Sequence, residues 1–258
     1  MKIGKRVLRT VLIAAFWLGV WTLASLLVGL PLLFPTPLAV LQRLISLLQE
    51  PDFYRITALS FGRVFLGILS AIALGVALSF ATARFSVARD ALHPVMTVIK
   101  STSVASFVVL AVLWMGAERV TTFITLLIVL PVIWTNLDEG FAQIDPQLDE
   151  VTRVYKLSPL RRLRVLVLPT LRPYFVSACR TAFGLAFKAG IAAEIIVLPK
   201  DAIGTKIYEA KQYIEAEDMF AWTLVVVLIT LLVELAFSRI LKTLEPKQVQ
   251  KEERYAEI

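Results

Sequence analysis

Between Ser60 and Ala83 the chain reads SFGRVFLGILSAIALGVALSFATA, and Arg63 is the only charged residue in this run. A bilayer core of about 30 Å requires about 20 apolar residues in a helix that crosses it. The run is therefore long enough to span a membrane as one helix. It predicts an integral membrane protein of the all-α class, because only helices and closed barrels satisfy the backbone inside lipid.

Five further apolar runs have similar length and composition, so six transmembrane helices are predicted. Hydrophobic residues make up 58% of the 258-residue chain and charged residues 18%, whereas soluble domains contain about 45–50% apolar residues. We therefore expect a single transmembrane domain over residues 1–258, with no separate soluble domain. The other five runs are Val11 to Phe34, Pro94 to Met115, Val120 to Leu137, Tyr174 to Leu198 and Phe220 to Ile240.

The distribution of Lys and Arg predicts the orientation of these spans. With both termini in the cytoplasm, most of the 27 Lys and Arg residues fall on the cytoplasmic side. This bias agrees with the positive-inside rule and predicts a cytoplasmic tail at about 241–258. The net charge of +7 thus reflects membrane topology rather than nucleic-acid binding. The basic residues left outside are Arg43, Arg55, Arg119, Lys200, Lys206 and Lys211.

Two sequence patterns predict how helices pack. Pro35 to Tyr54, outside the membrane, has the apolar spacing of a short amphipathic helix. Small residues recur every four positions in the second and fifth spans, and such stripes let helix backbones approach closely in lipid. Packing inside the bundle and a dimer or pore seam are both open interpretations. The two stripes are Gly67, Ala71, Gly75 and Ser79, and Ala178, Ala182, Ala186 and Gly190.

No catalytic or metal site is predicted. The chain has one histidine, His93, and one cysteine, Cys179, and neither has a partner at ligand spacing. His93 is interpreted as a residue at a helix boundary. No Gly-x-x-x-x-Gly-Lys-Ser/Thr sequence occurs, so the chain has no P-loop for nucleotide. No cofactor is therefore expected in this chain, and any ATP and Mg must be bound by a partner.

The long loop at about 138–171 is patterned for two short helices. Its central part reads QIDPQLDEVTRVYKLSPLRRLRVLVLP, from Gln143 to Pro169. Asp145 and Ser158 stand as N-caps, and each is followed by a proline at the first helical position. The first helix is expected to stop near Lys156, and the second to end before Pro169.

The run from Glu150 to Pro169 resembles the EAA loop of binding-protein-dependent ABC importer permeases, which docks the ATPase. Val151 and Thr152 replace the alanines of that motif, and Lys156 stands where the family usually has glycine. Lys156 must then adopt a left-handed backbone or use another turn. The resemblance implies an ATPase-coupling role for nine residues. They are Asp149, Glu150, Val151, Thr152, Lys156, Leu157, Ser158, Leu168 and Pro169.

The rest of the chain is similar to the nitrate, sulfonate and taurine branch of these permeases. The similar stretches are FPTPLAVL from Phe34, SFGRVFLG from Ser60 and TAFGLAFKAGIAAEIIVLP from Thr181. The resemblance implies a type I ABC importer permease in a bacterial plasma membrane, with both termini cytoplasmic. It also implies a homodimer, two copies of an ATPase and an extracytoplasmic substrate-binding protein. The expected solute is small and polar or anionic, of the nitrate, sulfonate or vitamin-precursor class.

Charged residues within spans are costly and are candidates for function. Lys100 is followed by three hydroxyl residues, a lining suited to an anionic or polar solute, although Lys100 could also extend to the membrane surface. Lys188 and Glu194 are further pathway candidates, and Glu194 could instead pair with Arg63. The candidates on the third span are Lys100, Ser101, Thr102 and Ser103.

Two other functions are compatible with the spans alone. An ion-coupled secondary transporter would use Glu194, Glu234 and Lys188 as a relay within the membrane. A membrane scaffold that transports nothing would show no solute-dependent stimulation of ATPase activity in liposomes. The patterned loop favours the ATP-driven importer over the ion-coupled transporter, which has no evident role for such a loop and for which the sequence shows no convincing inverted repeat.

Overall fold

The computed structural model describes residues 2–244, which form helices joined by turns and short loops and contain no strand. The all-α class is thus confirmed, while the predicted tail lies outside the described residues from 245 onward. A π-helical turn, Leu163–Val167, joins the eighth and ninth helices. The helices are α1 (Lys2–Val28), α2 (Pro37–Leu47), α3 (Pro51–Arg84), α4 (Ser86–Ser101), α5 (Val104–Met115), α6 (Ala117–Ala142), α7 (Pro146–Val154), α8 (Pro159–Arg162), α9 (Leu168–Val197), α10 (Ile203–Gln212) and α11 (Ala216–Leu244).

The described chain forms two compact units. The first contains the chain up to Ser60 and Leu198–Leu228, and the second contains Phe61–Val197 and the chain from Ile229 onward. Two helices, α3 and α11, therefore contribute to both units. The single transmembrane domain over residues 1–258 stays a prediction.

In the first unit, the predicted amphipathic helix is confirmed as α2. Thr36 caps its start by accepting a hydrogen bond from the Ala39 amide at 3.3 Å, and Pro37 occupies the first helical position. Its buried face consists of Val40, Leu44 and Leu47. Apolar residues at this spacing bury one side of a short helix and leave the other side free.

Ion pairs join distant segments of the first unit. The guanidinium of Arg43 on α2 binds both Asp218 and Glu50, and Arg55 Nη2 lies 2.6 Å from Asp201 Oδ1. Hydrogen bonding to Asp218 raises the pKa of Arg43 above its usual value, despite the opposing effect of burial. These pairs fix α2 and the start of α3 to the segment that contains α10.

The second unit is centred on α6 and α9, which pack along most of their length. The stripe of small residues on α9 is fully buried, and Gly190 approaches Val64 so closely that a Cβ atom would lie 2.6 Å from Val64 Cγ2. This stripe therefore forms a helix contact inside one chain. The interpretation as bundle packing is correct for α9.

The stripe on α3 packs against α6 in the same unit. A Cβ atom at Gly67 would lie 2.6 Å from Thr125 Cβ, and one at Gly75 would lie 2.8 Å from Ile133 Cγ2. Ser79 Oγ donates to the Gly75 carbonyl at 2.7 Å. Glycine at these two positions permits the backbones of α3 and α6 to approach closely.

The third predicted span is not one straight helix. It comprises α4 and α5, which meet at Thr102 and Ser103 with a bend of 105°. The hydroxyls of Ser101 and Thr102 both donate to the Val98 carbonyl, at 3.1 and 2.7 Å. Such side chains compete with the backbone hydrogen bonds that continue a helix. The helix also begins at Ser86 rather than near Pro94, so His93 lies inside α4 and not at its boundary.

By length and composition, four described helices can cross a membrane: α1, α3, α6 and α11. The bent pair of α4 and α5 is a fifth candidate. Helix α9 has 30 residues, but Arg180, Lys188 and Glu194 make it less apolar than the others. The count of six therefore stays a prediction.

Candidate functional site

The start of the candidate coupling segment is built as the sequence predicts. Asp145 is the N-cap of α7, and its carboxylate accepts a hydrogen bond from the Gln147 amide at 2.8 Å. Pro146 occupies the first helical position, where a missing N–H costs nothing. Ser158 caps α8 in the same way, with the Arg161 amide 3.4 Å from its hydroxyl.

Lys156 ends α7 in a left-handed conformation, with φ of 49°. The Lys156 amide donates to the Arg153 carbonyl and the Leu157 amide to the Thr152 carbonyl, both at 3.0 Å. These two bonds form a Schellman motif, in which the left-handed residue usually is glycine. Of the two alternatives for Lys156, the left-handed backbone is therefore correct, at a cost of about 1 kcal/mol.

The two faces of α7 differ in chemistry. Its outer face exposes a row of large apolar side chains, while Thr152 is buried and Asp149 lies against the protein with its side chain 15% exposed. Glu150 and Lys156 are also exposed. An exposed apolar row on a short surface helix is typical of a protein contact. The row consists of Leu148, Val151, Val154 and Tyr155.

Asp149 fastens α7 to the segment that follows it. Its carboxylate accepts hydrogen bonds from Arg153 Nη2 at 2.8 Å and from Arg162 Nε at 2.7 Å. Burial acts to raise the pKa of Asp149, but the hydrogen bonds and charges of Arg162 and Arg153 outweigh it and hold that pKa below its ordinary value. The ion pairs of Asp149 with Arg162 and Arg153 therefore contribute their full stability above the ordinary carboxyl pKa. This stability is lost as the pH falls through the lowered pKa of Asp149.

Arg162 is not among the nine coupling residues that the resemblance implies. It lies 13 positions after Asp149, and the two meet because the turn at Lys156 reverses the chain. The signal in the sequence that could have identified Arg162 is its charge, which is opposite to that of Asp149 on a helix joined to its own by a short turn. Asp149 and Thr152 thus hold the segment in place, whereas Glu150 and Val151 lie on its outer side.

The predicted end of the second helix before Pro169 is wrong. The chain continues without a break from α8 through the π-helical turn into α9, and the Leu168 amide donates to the Leu163 carbonyl. Proline has no N–H for the usual helical bond and crowds the carbonyl four residues earlier. A wider turn before Pro169 relieves both problems, since its bonds span five residues. Leu168 and Pro169 are exposed, and Leu157 is half-buried.

The pathway candidates on the third span lie at the bend between α4 and α5. Lys100 is exposed, and its Nζ donates to Thr135 Oγ1 on α6 at 2.6 Å. Ser101 and Ser103 are also exposed, and Thr102 is half-buried. The triplet that was predicted to line a pathway thus also ends a helix.

Lys188 is exposed, although α9 is otherwise the most buried helix of the second unit. It shares one face of α9 with exposed Ser177 and Thr181. A lysine in contact with lipid tails is costly, so such a face favours contact with water, solute or another protein.

Glu194 is fully buried, with 0% of its side chain exposed, and pairs with a cation as the sequence allows. Its Oε1 lies 3.6 Å from Arg63 Nη1 on α3, and Arg63 Nη2 donates to Glu118 Oε2 at 2.7 Å. Thr122 Oγ1 also donates to the Arg63 carbonyl at 3.0 Å. Arg63 therefore links α3, α6 and α9, and Glu194 has the ion-pair partner that the sequence offered, while its place in the pathway stays a prediction.

Comparison with known proteins places this geometry in one family. Residues 71–250 match the family described as binding-protein-dependent transport system inner membrane component. The taurine transport system permease protein TauC of Escherichia coli (strain K12) is 24% identical over 233 residues, which cover 88% of this chain and 84% of TauC. The nitrate import permease protein NrtB of Synechocystis sp. is 27% identical, over 74% of this chain and 73% of NrtB.

Solved structures show the same fold. A bacterial ABC transporter involved in the import of the acidic polysaccharide alginate has a chain that aligns with a TM-score of 0.63 and 16% identity, covering 95% of this chain and 100% of that one. The inward-facing MetNI methionine ABC transporter aligns with a TM-score of 0.55 and 16% identity, over 75% of this chain and 94% of that one. At these identities the likeness concerns the fold alone.

Fold and sequence together define a multi-pass membrane subunit with the architecture of type I ABC importer permeases. The chain belongs to the family of binding-protein-dependent transport system inner membrane components. It is the permease subunit of an ATP-binding-cassette importer of the plasma membrane, and it is not itself an enzyme. An ATPase and a substrate-binding protein are its partners.

Proposed function

We propose that α7 and the turn at Lys156 form the surface on which the ATPase docks, on the cytoplasmic side of the membrane together with both termini. The observation that carries this proposal is the exposed apolar row of α7, from Leu148 to Tyr155, on a helix anchored from behind by Asp149. A rigid helix with a free apolar face can enter a cleft on another protein and transmit its movement.

The predicted coupling residues divide into two roles in this proposal. Glu150, Val151 and Lys156 contact the ATPase directly, because they lie on the exposed side of the segment. The remaining residues position the segment. Asp149 and Thr152 hold α7, Leu157 and Ser158 form the turn into α8, and Leu168 and Pro169 connect it to α9, through which movement of the loop reaches the membrane.

Tyr155→Ala is expected to weaken capture of the cognate ATPase about thirtyfold, since aromatic residues at the centre of an interface commonly contribute 2 kcal/mol or more. Tyr155 is 75% exposed, and Tyr213, in the first unit, is 73% exposed. Tyr213→Ala is thus a matched control, and it should leave capture unchanged. The measurement is the amount of ATPase retained by purified permease in detergent. Equal retention by both variants would reject α7 as the docking surface.

We infer that two copies of this chain enclose the solute pathway. The exposed face of α9 with Ser177, Thr181 and Lys188 supports this proposal, since one copy leaves it uncovered. The bend at Ser101 to Ser103 offers further hydroxyls, and Lys100 adds a second cation. In a homodimer each such group occurs twice around the pathway.

The proposed solute is a small polar or anionic molecule of the nitrate, sulfonate or vitamin-precursor class. Similar proteins are named for taurine, nitrate and bicarbonate, and one at 23% identity for formylaminopyrimidine. Lys100 and Lys188 favour an anion among these, because an ammonium group forms charge-assisted hydrogen bonds with anions.

Lys188→Gln is expected to lower uptake of the transported anion about tenfold, which corresponds to about 1.4 kcal/mol. Lys188→Arg should retain most of the uptake, because the charge is kept. Lys211→Gln, an exposed lysine of the first unit, is the control. Uptake of taurine, nitrate and bicarbonate is measured in proteoliposomes with the ATPase and binding protein present. An unchanged rate for Lys188→Gln would remove Lys188 from the pathway.

A further inference from the structure

A cavity of about 660 Å³ lies behind the coupling segment, within the second unit. It is bounded by the end of α3, the start of α4, the end of α6 and the α7–α8 segment. Ligand sites in proteins commonly have volumes of about 300–1,000 Å³. The cavity is on the opposite side of α7 from the apolar row, since Asp149 lines it. An ATPase that docks on the apolar row therefore leaves the cavity accessible.

One part of the cavity wall is apolar. Phe80 and Phe141 pack edge to face with ring centroids 5.1 Å apart, and Val167 of the π-helical turn contributes a buried surface. These side chains offer a surface suited to hydrocarbon rather than to a small ion. A ligand that fills this part of the cavity removes apolar surface from water, which favours its binding.

The other part of the wall is basic. Arg84, Arg89 and Arg162 line it, and the only acidic lining residues are Asp138 and Asp149. Arg89 Nη2 donates to Asp138 at 2.8 Å, and Arg162 donates to Asp149. Arg84 is exposed beside the Phe85 ring, and no carboxylate of the described residues lies within ion-pair distance of it. The lining thus has one guanidinium more than its carboxylates neutralise, and guanidinium groups match phosphate in geometry.

The position of the cavity along α3 and α6 indicates which phosphate-bearing ligand it would bind. The apolar run of α3 ends at Arg84, and that of α6 ends just before Asp138, so the basic groups stand where these spans leave hydrocarbon. Phospholipid headgroups occupy that level, and basic pockets between helices there bind anionic lipids. A free phosphate would use the arginines and leave the apolar wall uncovered.

We propose that this cavity binds an anionic phospholipid, with the phosphate on Arg84 and the start of the acyl chains against Phe80 and Phe141. Binding does not depend on the proposed docking role of α7. The effect of lipid binding on the ATPase does depend on that docking role, because Asp149 and Arg162, which fasten α7, also line the cavity. A bound lipid therefore stiffens the support of the coupling segment, and anionic membranes increase ATPase coupling.

The test uses the full-length permease in nanodiscs and native mass spectrometry of lipid adducts. Phosphatidylglycerol is expected to be retained at least tenfold more strongly than phosphatidylcholine, and Arg84→Gln should reduce that preference about tenfold. Arg164→Gln is the matched control, since Arg164 is exposed nearby and does not line the cavity. Ala142→Trp fills the cavity without changing charge, and it should reduce retention similarly.

Three outcomes would overturn the proposal. They are equal retention of the two lipids, equal loss in Arg84→Gln and Arg164→Gln, and displacement of the lipid by millimolar glycerol 3-phosphate, which would identify a free phosphate as the ligand. Unfolding midpoints in phosphatidylcholine nanodiscs show whether each variant is folded. Selective retention of phosphatidylglycerol, together with equal ATPase capture by Tyr155→Ala and Tyr213→Ala, would refute the docking role alone.

Discussion

Arg63→Ala is expected to destabilise the permease by about 3–5 kcal/mol, the range measured when one partner of a buried ion pair is removed. Arg63 is only 14% exposed, and it is the cation 3.6 Å from the fully buried Glu194. Without the guanidinium, the Glu194 carboxylate remains in a site from which water is excluded. The contact with Glu118 is lost as well, so α3, α6 and α9 lose their shared link.

A second substitution separates this electrostatic effect from loss of packing. In Arg63→Ala combined with Glu194→Gln, the buried carboxylate of Glu194 is removed and only the exposed Glu118 loses its arginine, so at least half of the lost stability should return. Arg119→Ala removes an exposed arginine and should change stability by less than about 0.5 kcal/mol. Unfolding in detergent micelles by denaturant gives the free energies. A double variant no more stable than Arg63→Ala would contradict the role given to Glu194.

Gly67→Ala is expected to cost about 1–3 kcal/mol, as overpacking does in a close-packed interior. The added Cβ would lie 2.6 Å from Thr125 Cβ and 2.7 Å from the Thr122 carbonyl oxygen. A backbone oxygen cannot rotate away, so α3 and α6 must separate. Gly67→Val should cost more than Gly67→Ala for the same reason.

Gly62 provides the control on the same helix. A Cβ atom there meets no other atom within 4 Å, so Gly62→Ala should stabilise the helix by about 0.5–1 kcal/mol. The midpoint of thermal unfolding in detergent is the measurement for both variants. If Gly67→Ala and Gly62→Ala shifted it equally, the close contact between α3 and α6 would be wrong.

Local features of the sequence predicted much of the candidate coupling site. The caps at Asp145 and Ser158, the prolines that follow them and the stop at Lys156 are all found. Each of these depends on side-chain and backbone groups within about four residues of one another. The end predicted before Pro169 failed because a π-helical turn accommodates that proline, and the choice between a π-helical turn and a break depends on what packs around it.

The small-residue stripes likewise separate what the local sequence predicts from what depends on packing. Their spacing predicted close helix contacts, but it did not identify the partners, since a period of four marks one face of a helix and not what that face meets. The structure pairs Gly67 and Gly75 with α6 and places Gly190 against α3 and α6. The bend at Ser101 to Ser103 was missed because hydroxyl residues suit a pathway lining and a helix end equally well.

The amino-acid sequence was enough to predict the membrane class, most of the helical segments, the caps of α7 and α8 and the family. These follow from hydropathy and from short-range hydrogen bonding, which any window of the chain contains. The packing of the helices was needed to show that Asp149 binds Arg162, that Arg63 contacts both Glu194 and Glu118, and which face of α7 is free. Those contacts depend on how each helix is rotated and which helix it packs against, and residues far apart in the chain set both.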